Sequence, residues 1–135
     1  MARDIVLEER EWINIKNPEG EITGGFYFNP TDFGIADRCD EVIKWFDELK
    51  IPEEFGNDER KELEKGIKDQ FDYLLGGEAS AQLFKFASPI SMRVDGTLFA
   101  EYVLSVMTAF IEKEFTERTK KANKRIEKYT EKYGR

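Results

Sequence analysis

Twenty-eight carboxylates are the commonest reactive side chains in this 135-residue sequence, and no histidine accompanies them. Paired acids perform general acid and base work when their surroundings drive their proton affinities apart. The pairs close enough in sequence to propose are Asp32 with Asp37 and Glu53 with Glu54. Each has a plainer use. Asp32 follows Asn29-Pro30-Thr31, where an aromatic run gives way to helical spacing, so it suits a helix start. Glu53 and Glu54 solvate a loop between Pro52 and Gly56. Ser80, Ser88 and Ser91 stand in neither a G-x-S-x-G nor an S-x-x-K pattern, and the acid spacing nowhere forms a calcium loop. The single Cys39 admits no intramolecular disulfide. With no His and no second Cys to activate it, the thiol reads as a small buried hydrophobe. Gly24-Gly25 could cradle a phosphate only if a helix N-terminus followed sooner than it does. A β-bulge that re-aims Phe26 and Phe28 is the simpler reading. No catalytic constellation, cofactor site or metal site is therefore expected, and the remaining chemistry is that of binding.

Charge narrows the kind of binding. The net charge is −7, but residues 118–135 hold eight Lys or Arg against two Glu, about +6, which leaves about −13 for residues 1–117. An acidic body repels phosphate backbones and anionic membranes, so a polynucleotide could engage only the tail. There "RTKKANKRIEKY" could reach nucleic acid through Lys120, Lys121, Lys124 and Arg125. It equally describes a solvated helix with an apolar seam and a cationic end suited to the helix dipole, which is the reading favoured here. No run approaches the roughly 18 apolar residues of a membrane span, and the N-terminus carries no apolar leader. A reducing, soluble, intracellular setting is expected.

The elements that would position a binding surface read as follows. Forty per cent hydrophobic content with eleven Phe in 135 residues gives one domain with one core. Residues 4–16 are rich in β-branched types and predict a strand, with Ile13 and Ile15 opposed to Trp12, Asn14 and Lys16. Asn-Pro-Glu-Gly at 17–20 turns the chain, and "EITGGFYFN" returns as the antiparallel partner, giving a hairpin over 4–28. Phe26, Tyr27 and Phe28 would anchor it to a helical layer. A first helix over about 32–48 would place Ala36, Cys39, Val42, Ile43 and Phe46 on its core stripe. A second, over about 58–75 and capped by Asn57 or Asp58, would bury Leu63, Ile67, Phe71, Leu74 and Leu75, and Gly76 or Gly77 would end it. A short turn over 78–84 presents Leu83 and Phe84.

The strongest periodicity comes last. Leu98, Phe99, Tyr102, Val103, Val106, Met107, Phe110 and Ile111 cover more than half of a helix over about 97–117, so it is either central or shared with a partner. No Pro or Gly follows until Gly134. Phe115, Thr119, Ala122, Ile126, Tyr129 and Tyr133 carry a thin seam along a basic helical extension over 118–135. A helix from about 97 to 133 would be about 55 Å long, more than a body of residues 1–117 can cover. The expected architecture is thus α+β, a hairpin on three to four helices with a long C-terminal helix. The expected partner contacts are Phe115, Ile126, Tyr129 and Tyr133, with Lys121, Arg125 and Lys128 beside them.

Three stretches, "FYFNPTDFGIADR", "IKDQFDYLLGGEASAQLF" and "LFAEYVLSVMTAFIE", together resemble a family of small tail-assembly proteins from phages and prophages of low-GC Gram-positive bacteria. That family joins strand to helix through an F-x-F-x-x-T-D type junction and later carries an I-D-x-x-F-G-E-G-x-x-x-x-x-F segment. Phe71, Asp72, Leu75, Gly76, Gly77, Ala79, Ser80 and Phe84 match the second in character, while Gly76-Gly77-Glu78 replaces its G-E-G core. The likeness spans about residues 20–115. It implies a non-enzymatic chaperone in the bacterial cytoplasm that keeps a tape-measure protein soluble and recruits tail-tube subunits; whether the seam also serves a homo-oligomer is left open by the sequence. A rival reading is a small acidic phage-encoded inhibitor, an anti-defence protein that occludes a host protein. Lysines interleaved with acids in "DERKELEKGIKDQ" weigh against it, because mimicry of nucleic acid needs an unbroken anionic stripe.

Overall fold

The computed structural model describes residues 2–133, with side chains to residue 128. Its elements are β1 (Glu11–Lys16), β2 (Ile22–Phe28), α1 (Ile35–Asp47), α2 (Asn57–Leu75), α3 (Ala79–Leu83) and α4 (Phe99–Tyr133). The two strands form one antiparallel hairpin, and the whole is an α+β fold with a long C-terminal helix.

The hairpin is shorter than its composition suggests. Glu11 pairs with Phe28, and β2 ends there because Asn29-Pro30 follows. Residues 4–10 therefore have no strand to pair with and form no regular structure, despite Ile5, Val6 and Leu7. The turn is as expected: the Gly20 N–H donates to the Asn17 carbonyl at 2.9 Å, and Gly20 takes a φ of +84°, which suits a residue without Cβ. The irregularity in pairing lies between Ile15 and Lys16, opposite Thr23, one residue before the glycine pair. Gly25 has a different task. A Cβ there would lie 2.5 Å from Trp12 Cζ2 and 2.7 Å from the Ile13 carbonyl, so its bareness lets the indole lie across the strand.

Alternation divides the sheet. Ile13, Ile15, Phe26 and Phe28 face the helices, with both Phe buried. Tyr27 instead faces out and meets Trp12 edge-to-face, with ring centroids 5.0 Å apart. The expectation that all three aromatics anchor the sheet fails at Tyr27 because its neighbours hold the inner positions.

Asp32 begins a turn and not the helix. Its carboxylate accepts the Gly34 N–H at 3.1 Å and pairs with Arg38 at 3.0 Å, so α1 starts three residues late. Its inner stripe is correspondingly rotated: Ile35, Cys39, Val42, Trp45, Phe46 and Leu49 pack on the core, while Ala36 and Ile43 are exposed. α2 buries the expected face. It ends at Gly76, whose φ of +74° lets its N–H reach back to the Asp72 carbonyl at 2.8 Å.

Six aromatic rings tie the helices together. Trp45, Phe46, Phe71, Phe84, Phe99 and Tyr102 follow one another at centroid distances of 5.1 to 6.2 Å, mostly edge-to-face, running from α1 through α2 to α4. α4 enters the core through Ala100, Val103, Leu104, Met107 and Ile111, all buried. Its first N–H groups are not left bare, since Phe99 and Ala100 donate to the Ser91 and Pro89 carbonyls at 2.7 and 3.0 Å.

Candidate functional site

Among the described residues, α4 borders two surfaces that the fold leaves uncovered. The first is the rod beyond the body. Phe115 is half-buried against the core and lies 6.4 Å from the Phe33 ring, so it closes the body more than it opens the seam. The last firm contact is Arg118. Its guanidinium donates to both Glu11 carboxylate oxygens at 2.7 and 2.9 Å, and to Glu114 at 3.3 Å. Arg118, the first residue of the basic extension, is thus tied to the hairpin. From Thr119 to Lys128 every side chain but Ala122 is exposed. Ile126 is 53% exposed, and Lys121, Arg125 and Lys128, also exposed, form a separate basic stripe about 100–160° round the helix from it. The side chains of Tyr129 and Tyr133, the last two of the expected seam, lie outside the described residues.

The Glu11–Arg118 pair fastens rod to hairpin. Arg118, by hydrogen bonding and then by charge, holds the Glu11 carboxyl below its ordinary range. Because the folded value is depressed, the pair's stabilisation is present above the unfolded carboxylate value of about 4.3 and is lost as pH falls through the folded one. Both side chains are more than a third exposed, so solvent screening limits the gain to under about 1 kcal/mol. Glu11→Gln should therefore lower the melting temperature slightly at pH 7. Thermal melts in acid, or in 1 M salt, should show no difference from wild type.

The second surface is a cleft of about 370 Å³ between β1 and α4. Ile13, Ile15 and Phe26 form one wall, and Phe99, Tyr102, Val106 and Phe110 the other. These four α4 residues recur at spacings of three and four, beside the buried line of Val103, Met107 and Ile111. The breadth of the apolar face therefore has a structural cause: one half is core and the other borders the cleft. Sequence reading named the α4 residues but not their opposite wall, because the two walls lie some eighty residues apart.

Other groups do structural work. Asp72 accepts the Ser80 backbone N–H and hydroxyl, each at 2.8 Å, and so joins the end of α2 to the start of α3. Cys39 is half-buried, and burial, with Asp40, pushes its thiol pKa up, away from reactivity. The Asp32 carboxyl is held low by the Gly34 N–H and then by Arg38, which is the wrong direction for a general acid at neutral pH. Among the described residues no cluster of three or more His, Cys, Asp or Glu is placed to hold a metal. No helix there is long and apolar enough to cross a membrane. Comparison with models of protein families, with curated proteins and with solved structures returns no match.

Proposed function

We propose that the protein is a non-enzymatic phage tail assembly chaperone, which holds a tape-measure protein, tail-tube subunits or both through helical contacts on α4. The observation that supports this reading is the division of a single 35-residue helix. Its first half is core, and residues 119–128 of the second are exposed save Ala122, with Ile126 on one stripe and Lys121, Arg125 and Lys128 on another. An amphipathic partner helix can lay its apolar stripe along such a seam, as helix-in-groove recognition requires. Acidic residues at the edges of that stripe would meet Lys121, Arg125 and Lys128. The acidic body would keep the complex dispersed. The resemblance of the Phe71–Phe84 stretch to tail-assembly proteins supplies the class of partner.

The test is co-expression with a tape-measure fragment encoded in the same gene neighbourhood. The full chain should hold the fragment in solution and co-purify with it. Deletion of residues 119–135, which spares the Glu11–Arg118 pair, should keep the melting temperature of the body and lower the affinity for the fragment more than about tenfold. Ile126→Asp should act in the same direction. A truncated chain that binds as before, or one that no longer folds, would refute the assignment to the rod.

A further inference from the structure

The cleft between β1 and α4 ends on an open sheet edge. In an antiparallel strand a residue's N–H and C=O point to the same side, alternating along the chain. Thr23 Oγ1 donates to the Ile15 carbonyl at 3.3 Å, and Asn17 exchanges backbone bonds with Glu21 and Gly20. Odd-numbered residues of β1 therefore bond toward β2. Trp12, Asn14 and Lys16 turn their backbone donors and acceptors outward, along the mouth of the cleft. A bare edge of this kind is a template for another extended strand.

The chain also carries a β-prone segment without a partner. Ile5, Val6 and Leu7 are exposed at 83, 91 and 83%, and the segment 2–10 has no regular structure. It is poorly suited to fold back on its own β1. Such a return needs a tight turn within Glu8-Glu9-Arg10, where neither Gly, Asn nor Asp is present to take the positive φ that short hairpins demand.

We propose that this N-terminal arm adds to the free edge of β1 in a second copy of the chain, reciprocally, and fills the cleft. Antiparallel pairing of Val6 with the partner's Asn14 satisfies the outward-facing groups on both strands. The same register sets Ile5 opposite Ile15 and Leu7 opposite Ile13, on the face that looks into the cleft toward Tyr102, Val106 and Phe110. It also sets Asp4 opposite Lys16, an ion pair on the outer face of the joined sheet. The two-fold axis falls at Arg10, and each Arg10 brings its own counter-ion, since Glu8 pairs with it at 2.9 Å. The result is a closed, isologous dimer with a continuous four-stranded sheet, in place of a two-stranded one that is marginal alone.

The inference is independent of the tail-assembly reading, because the arm and cleft survive deletion of residues 119–135, and the dimer should persist in that variant. Sedimentation equilibrium of the full 15.8 kDa chain over a concentration series should give twice the monomer mass. Ile5→Asp combined with Leu7→Asp alters only exposed side chains, so the fold is kept, and it should weaken the dimer more than about tenfold. In a Cys39→Ser background, mixing a Leu7→Cys variant with an Ile13→Cys variant should yield an oxidised species of doubled mass that neither yields alone. A chain that stays monomeric up to millimolar concentration would overturn the proposal. So would a dimer that ignores the arm substitutions, or mixed cysteine variants that fail to cross-link.

Discussion

Phe71→Ala should cost the fold about 3–5 kcal/mol, the range for removing a large aromatic from a core that cannot collapse around the gap. Phe71 is fully buried and stands at the middle of the ring series, 6.0 Å from Phe46 and 5.1 Å from Phe84 by centroid. Its removal therefore leaves a cavity and also breaks two edge-to-face contacts that join three helices. Against a total stability of about 5–15 kcal/mol this is a large share. Urea unfolding should show a lowered midpoint with an unchanged slope. Phe110→Ala makes a useful contrast. Phe110 lines the cleft, is only half-buried and has room beside it in the single chain, so its truncation should cost the monomer clearly less. Equal losses at the two positions, measured on dilute monomer, would mean that the cleft is closed in the single chain.

Asp72→Ala should be the second largest effect, about 2–3 kcal/mol. The side chain makes two hydrogen bonds to Ser80, from the backbone N–H and from the hydroxyl, and Ser80 is buried. Bonds to a charged acceptor are worth more than neutral ones, and losing the acceptor strands two donors away from water. Ser80→Ala removes one of those donors together with its partner bond and should be milder. A double-mutant cycle between the two positions isolates the coupling. Additive losses would show that Asp72 acts elsewhere.

These two adjacent residues also show what was legible in the sequence. Phe71, Asp72, Ser80 and Phe84 attracted notice as a motif. Their geometry explains the spacing, since it is what a helix end, a left-handed glycine and one further turn need to bring Asp72 onto Ser80 and Phe84 onto Phe71. Helices α2 and α4 could be read because their apolar residues recur at three and four without interruption. The α1 stripe is legible at Cys39, Val42 and Phe46, while Ile35 and Trp45 take the inner places expected of Ala36 and Ile43. Asp32 carries the composition of a cap but spends its carboxylate on Gly34 and Arg38, and the helix waits until Ile35. The strand over residues 4–10 was expected from β-branched composition alone. Composition describes what a strand tolerates, whereas a strand exists only where another lies beside it, and β2 ends at Phe28. The cleft was illegible for a similar reason, because no local pattern says that Ile13 and Val106 will share one space. Of the seam residues, Ile126 lies exposed, whereas Phe115 is half-buried because it packs against the core.

The unbroken passage of α4 from interior to solvent makes it a lever. No proline or glycine falls between residues 97 and 133, so the helix has no built-in hinge, and its outer reach takes its bearing from the side chains wedged beneath Met107 and Ile111. Ile126 lies about 22 Å along the axis from Ile111, and a tilt of about 5° at the fulcrum swings it by about 2 Å. Errors of packing deep inside the molecule would thus be magnified at the tip, and a variant that melts almost normally could still aim its outermost residues at the wrong place.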